Sequence, residues 1–409
     1  MHALHRRPKS PQAWRTEMTG AILDTGAAAA RACQQQLIEW LCHKAYPIWA
    51  HLGVDAGNGG FQERLSQDGT PLIEPRRARV QPRQIYAFAR APHLGWHGDS
   101  HRIVERAMGF FLTHYLRADG LYRTLVAADG STLDNAVLLY DQAFALLGIA
   151  SARRLLGPDP ALEEAGDLLF EALFSHLKRI GRGFYSGLPE RLPLLSNPHM
   201  HLFESALAWR EISSDPQWRT LTDELGELAL AHFIDPVGGA VRETYDEAWL
   251  PVPGAEGRRV EPGHQFEWAW LLLRWHPEND SLARHTALRL IDLAEQHGVR
   301  GGLVIDALLD DFSVLDANAR LWPQTERLKA NAFAASLTGE PRYWLSAVAA
   351  ARGLLRYFET PTPGLWYDRI DSAGILSDVP APASSFYHIV AAIDVLTDAV
   401  KDSERTVPG

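Results

Sequence analysis

The chain has 409 residues, 46% of them hydrophobic and 22% charged, ordinary values for a globular protein. Its formal net charge of −10, with only short basic stretches at 5–9 and 76–83, argues against a nucleic-acid-binding face. No apolar run reaches the ~18 residues that a membrane-spanning helix needs, and two cysteines are too few for a disulfide framework.

The first segment carries positive charge, but "RTEMTGAILDTGAAAA" lacks the apolar core of a signal peptide. Residues 1–25 are expected to form a flexible N-terminal extension, with Met18 as a second candidate start, and residues 26–402 a catalytic domain. The first helical pattern, "RACQQQLIEWLCHKAY" at 31–46, holds both cysteines. Nine positions along a helix put the Cα atoms of Cys33 and Cys42 about 13 Å apart, beyond bridging reach. A reducing, cytoplasmic location is expected.

A short loop phrase follows, "GGFQERLSQDG" at 59–69, with the Gly-apolar-turn pattern of a hairpin. Next comes "RQIYAFARA" at 83–91, apolar nearly all round as an interior helix is, then "RIVERAMGFFLTHYL" at 102–116, apolar on one face and charged on the other. The order then repeats. Loop phrases recur at 120–130, 181–190, 238–249, 301–311 and 364–374. Two-faced helical patterns recur at 161–177, 218–233, 282–297 and 342–358, and apolar ones at 134–156, 198–209, 263–275, 322–337 and 384–396. A period near 60 residues marks a repeated supersecondary unit. Six helix pairs that cannot bury their apolar faces alone predict an all-α fold, a single (α/α)6 barrel with short β-hairpins in the inter-helix loops. An open solenoid is the competing arrangement.

Arg83, His201, His264, Glu326 and His388 fall near the starts of five apolar helices, the last four spaced by 62 or 63 residues. Equivalent helix starts would converge on one mouth of a barrel. In the remaining repeat Asn135, Tyr140 and Asp141 are available. "NPHMHLFE" and "EPGHQFEW" share His-x-x-Glu, as His201/Glu204 and His264/Glu267, and residues three apart share a helix face. A lone histidine on an apolar helix is usually a satisfied core residue; His114, His176 and His232 are read so. A metal site would draw on His199 and the two His-x-x-Glu pairs, His201/Glu204 and His264/Glu267, yet the di-iron order Glu-x-x-His and the zincin motif are absent. A paired-carboxylate glycosidase would draw on Glu267, Glu326, Asp134 and Asp141. Phosphate-loop and serine-esterase motifs are absent.

The phrases "RVQPRQIYAFARA", "YDQAF", "NPHMHLFE", "EPGHQFEWAWLL", "WPQTERLKA" and "SFYHIVAAI", in that order from about residue 28 to 399, resemble the N-acylglucosamine 2-epimerase superfamily, and its mannose isomerase-like branch most. The resemblance implies an (α/α)6 barrel that interconverts aldoses and ketoses or inverts C2, without an obligatory metal or cofactor. It implies that His264 and His388 are the acid/base pair, that His201 assists, that Arg83 contacts the substrate oxygens, and that Glu267 partners His264. Asn197, Tyr140, Trp322 and Glu326 match pocket-lining positions. Ser384 stands where some isomerases of the family carry glutamine, and Arg258 and Arg259 could meet a hydroxyl or a phosphate.

The expected function is therefore a metal-independent aldose–ketose isomerase of the mannose-to-fructose type, working through an enediolate. A sugar 2-epimerase is the alternative, a glycosidase a weaker one, and a non-catalytic sugar-binding barrel the reading from another class. The expected partner is a small monosaccharide, with no nucleic acid and no membrane, and the protein is expected to act as a monomer or homodimer.

Overall fold

Side-chain caps mark four of the outer helices. The computed structural model describes residues 11–276 and 281–405. Within them run twelve helices of 11 residues or more: α1 (Pro11–Trp40), α2 (Val80–Arg90), α3 (Ser100–Tyr115), α4 (Leu139–Leu156), α5 (Pro160–His176), α6 (Ser196–Ile212), α7 (Pro216–Leu228), α8 (Pro262–Trp275), α9 (Leu282–Gly298), α10 (Leu321–Thr338), α11 (Pro341–Leu355) and α12 (Ser384–Arg405). Helices α3, α5, α7 and α9 are N-capped by the side chains of Asp99, Asp159, Asp215 and Ser281. Each cap satisfies a backbone N–H that the first helical turn leaves over. Helices α2, α4, α6, α8 and α10 have no side-chain cap. The first N–H groups of three of them, at Leu139, Ser196 and Leu321, donate instead to hairpin carbonyls of the next repeat, those of Ser186, Glu243 and Asp368.

These five helices are also the buried ones, whereas α11, likewise without a side-chain cap, flanks them. Helix α4 is buried almost throughout from Leu139 to Ala152, and α8 from Pro262 to Leu273. Helix α2 packs on α4, α4 on α6, α6 on α8, α8 on α10, α10 on α12, and α12 returns to α2. The odd-numbered helices flank this cycle, with α11 on α10 and α1 on both α11 and α12. The predicted alternation of six apolar and six two-faced helices is therefore met element by element.

The loops close the same cycle. Each short strand just ahead of an inner helix pairs antiparallel with the hairpin of the next repeat: Arg76 with Val126, Val137 with Leu188, Leu194 with Tyr245, Val260 with Leu308, and Ala319 with Ile370. The strand ahead of α12 returns to the first hairpin, Pro382 opposite Arg64. The hairpins thus tie repeats together.

Helix α1 begins at Pro11, so part of the expected N-terminal extension lies within it. Residues 1–10 lie outside the described residues. Cys33 and Cys42 are both free and buried, and no helix among the described residues is long and apolar enough to cross a membrane.

Candidate active site

A repeated hydrogen bond sets the register of the inner helices. Near the start of four of them a glutamine side chain both accepts from and donates to one backbone residue of a hairpin. Gln81 grips Phe61 (2.7 and 3.0 Å), Gln142 grips Tyr122 (2.8 and 2.9 Å), Gln265 grips Val241 (2.7 and 3.0 Å) and Gln324 grips Val304 (2.8 and 2.9 Å). In α6 the same place belongs to His199, whose Nε2 accepts from the Phe184 N–H at 3.0 Å. Its Nδ1 lies 2.8 Å from the Leu195 carbonyl. Both ring nitrogens of His199 are engaged by backbone, which removes it as a metal ligand.

Two residues after these anchors stand Arg83, Phe144, His201, Glu267 and Glu326. This corrects the equivalence drawn from spacing. His201 shares its phase with Glu267 and Glu326, whereas His264 precedes its anchor Gln265 by one position. The 62- and 63-residue steps compensate for loops of unequal length, and side-chain position follows the hydrogen-bonded anchor rather than the count.

The open ends of the inner helices surround a cavity of about 770 Å³. Eight of the nine expected site residues line it: Arg83, Tyr140, Asn197, His201, His264, Glu267, Trp322 and His388. The ninth, Glu326, is fully buried behind His388. Arg258 and Arg259 are not among the lining residues. Arg258 is bound by Asp310 and Asp311, and Arg259 by Glu261.

Each of the three lining histidines is held through Nδ1 by a carboxylate. His201 meets Glu204 Oε2 at 3.2 Å, one turn on in its own helix. His264 meets Glu243 Oε2 at 2.9 Å, from the preceding hairpin. His388 meets Glu326 Oε1 at 2.8 Å, from the neighbouring helix α10. A carboxylate on Nδ1 fixes the tautomer and leaves Nε2 for the cavity. The expected His264–Glu267 partnership is thus corrected. Glu243 takes that hydrogen bond, and the nearer imidazole of Glu267 is His201, whose Nδ1 is 3.8 Å from Oε1. Sequence reasoning missed Glu243, although it stands in the loop phrase "GGAVRETYDEAW".

The three dyads differ in charge. Burial opposes protonation of His264, but Glu243, with Glu261 and Glu267 nearby, outweighs it and raises the pKa to about 9. Burial lowers His201 to about 3 despite Glu204, with Arg83 and His388 pushing the same way. Burial also lowers His388 well below the usual imidazole value, helped by the charges of Arg83 and Lys329. At neutral pH the cavity therefore holds one imidazolium, His264, and two neutral imidazoles. Trp322 lies against both acid/base candidates, its ring 4.9 Å from His264 and 5.8 Å from His388.

Arg83 is the lining arginine without a carboxylate partner among the described residues. The other three are paired: Arg64 with Glu74, Arg77 with Glu63, and Arg320 with Glu261 and Asp306. Arg83 donates instead to the Tyr140 hydroxyl, and its guanidinium sits 4.0 Å from the Phe144 ring centroid. Aromatic faces orient a guanidinium without cancelling its charge. Glu267 is the complementary oddity. It is buried, neither carboxyl oxygen has a hydrogen-bond partner, and burial together with Glu326 and Glu204 pushes its pKa well up. An uncharged carboxyl facing a cavity can both donate to and accept from a ligand hydroxyl.

The profile of the N-acylglucosamine 2-epimerase (GlcNAc 2-epimerase) family matches residues 59–392. The chain is 44% identical over 376 residues to the mannose-6-phosphate isomerase of Rhizobium meliloti (strain 1021), covering 90% of this chain and 97% of that one. It is 24% identical over 378 residues to the N-acylglucosamine 2-epimerase of Mus musculus, covering 86% and 88%. Among solved structures, a D-mannose isomerase superposes with a TM-score of 0.78 at 20% identity, covering 89% of this chain and 97% of that one. At that identity the likeness is one of fold.

Proposed function

The chain belongs to the N-acylglucosamine 2-epimerase family, and on that premise we propose that it is an aldose–ketose isomerase acting on mannose or a close relative through an enediolate. The observation that carries the reading is the unequal protonation of two carboxylate-held histidines that line one cavity. Neutral His388 is the base that removes the weakly acidic proton from C2 of the open-chain sugar. Negative charge then grows on the substrate oxygens, where Arg83, free of any carboxylate, stabilises it. The inner helices start at this same end, and the positive ends of their dipoles add to that stabilisation. His264, already an imidazolium, hydrogen-bonds an oxygen or returns a proton. His201 with Glu204 assists ring opening, Glu267 meets a sugar hydroxyl, and Asn197, Tyr140 and Trp322 shape the pocket, with Glu326 behind it.

Return of the proton to C1 gives the ketose. Return to C2 from the opposite face gives the epimer, and the presence of two histidines, His264 and His388, lining the one cavity supports that as the second reading. The glycosidase reading loses support because Glu326 is committed to His388 and Lys329, and Asp141 to Arg79 and Thr124.

The cycle of inner helices and the strand pairing across repeats support a closed (α/α)6 barrel as one catalytic unit over residues 26–402. The natural partner is a monosaccharide, and the chemistry proceeds without a metal. Incubation with mannose in deuterated water tests the reading. A deuterium-labelled ketose is expected; C2-deuterated epimer alone establishes the second reading, and no exchange on any hexose refutes both.

A further inference from the structure

Two groups of ligand-type side chains meet at Glu267. His201, Glu204 and Glu267 form one, Glu267, Glu326 and His388 the other, and within each group the ligand atoms lie within 4.8 Å of one another. All five residues are buried. Carboxylates this close in a dry site cannot all ionise without a cation among them. In many proteins such a set holds a divalent ion.

Here the chain itself supplies the cation. Lys329 follows Glu326 by three residues on α10 and is fully buried, its Nζ 2.6 Å from Glu326 Oε2. The ammonium also lies 4.0 Å from the ring centroid of Trp270. Burial opposes its charge, but the neighbouring carboxylates, Glu326 foremost and Glu204 with it, outweigh burial and hold the proton on. The other oxygen of Glu326 is the one that meets His388 Nδ1 at 2.8 Å. An unbroken line therefore runs from an ammonium through one carboxylate to the imidazole of the candidate base.

We propose that Lys329 is the built-in counter-cation of this carboxylate cluster and the positioning residue for His388. Burial raises the pKa of the Glu326 carboxyl, and the ammonium beside it opposes that rise and favours the ionised form. Ionised Glu326 keeps the His388 proton on Nδ1, so Nε2 faces the cavity as a free base. The ammonium does for these carboxylates what a divalent ion would do in the same place. The inference rests on His388 acting as the base, but the line of three groups is testable without turnover.

Lys329→Met keeps an unbranched side chain one atom shorter and removes the charge. The expected result is a kcat lowered roughly 10²-fold with KM little changed, as for loss of a correctly poised base. The acid limb of the pH–rate profile moves to higher pH, because Glu326 without its ammonium protonates more readily. Lys329→Ala is expected to regain activity with added ethylammonium, a rescue that a merely structural lysine would not give. Wild-type kcat and pH profile in a folded Lys329→Met protein overturn the proposal. Should neither variant fold, or should no hexose be turned over, nitrogen NMR of the labelled wild-type protein decides. An Nδ1–H tautomer at His388 together with a charged Lys329 at neutral pH supports the proposal; an Nε2–H tautomer or a neutral amine overturns it.

Discussion

His388 Nδ1 lies 2.8 Å from Glu326 Oε1, a carboxylate 62 residues earlier on the neighbouring inner helix. The two residues belong to successive repeats, so neither repeat alone contains the dyad. Glu326→Gln is expected to leave the fold intact and to lower kcat roughly 10²-fold, because an amide can present its N–H₂ to Nδ1 and so favour the wrong tautomer. Steady-state kinetics beside far-ultraviolet circular dichroism checks this. Unchanged kcat would show that the dyad does not set the base.

Glu243 controls the charge on His264. Removing it in Glu243→Ala lowers the His264 pKa from about 9, so the basic limb of the pH–rate profile should move to lower pH. The sign for stability follows from a folded pKa above the unfolded value of about 6.5. The contribution of protonated His264 is complete below about pH 6.5 and is lost as pH rises through about 9. Melting temperatures of the two proteins should therefore differ most at about pH 6 and converge above about pH 9. A difference that persists at high pH would assign another role to Glu243.

Arg83 acts through an uncancelled charge held by Tyr140 and Phe144. Lysine cannot stack flat on a ring or reach with a planar fork. Arg83→Lys is expected to lower kcat/KM about 10²- to 10³-fold, mainly through kcat, as loss of an oxyanion donor does. Loss expressed wholly in KM would make Arg83 a binding residue only.

Among the described arginines that line the cavity, Arg64, Arg77 and Arg320 are paired with carboxylates, which leaves Arg83 alone unpaired, and in the proposed mechanism Arg83 serves the reacting oxygens rather than a phosphate. Free hexose is expected to be preferred to its 6-phosphate in kcat/KM, and Glu74→Gln, which frees Arg64, should narrow the gap. Competition between mannose and mannose 6-phosphate measures it. Preference for the phosphate in the wild-type protein would show that these ion pairs open on binding.

Gln142 satisfies both the N–H and the carbonyl of Tyr122 in the core. Gln142→Ala leaves two buried backbone groups unpaired, at about 1–3 kcal/mol each. Urea denaturation should show a loss of that order, with site kinetics altered far less. Unchanged stability would mean that water replaces the amide.

The sequence alone settled the periodic facts. Apolar stripes and loop phrases spaced near 60 residues were enough to divide the chain into six inner and six outer helices, because burial imposes the same pattern on every repeat. His201 and Glu204 were legible as a pair because three residues along a helix share a face. The other two dyads were not. Glu243 reaches His264 from a hairpin, and Glu326 reaches His388 across a helix–helix contact, so no local spacing encodes either. The glutamine anchors likewise decided which positions of the repeats correspond, against an even spacing that pointed elsewhere. Charge was also a tertiary matter. Three histidines of one residue type differ because His264 has several carboxylates about it, whereas burial prevails at His201 and His388. Residue type sets what a side chain can do; the electric field of neighbours distant in sequence decides which protonation state it holds.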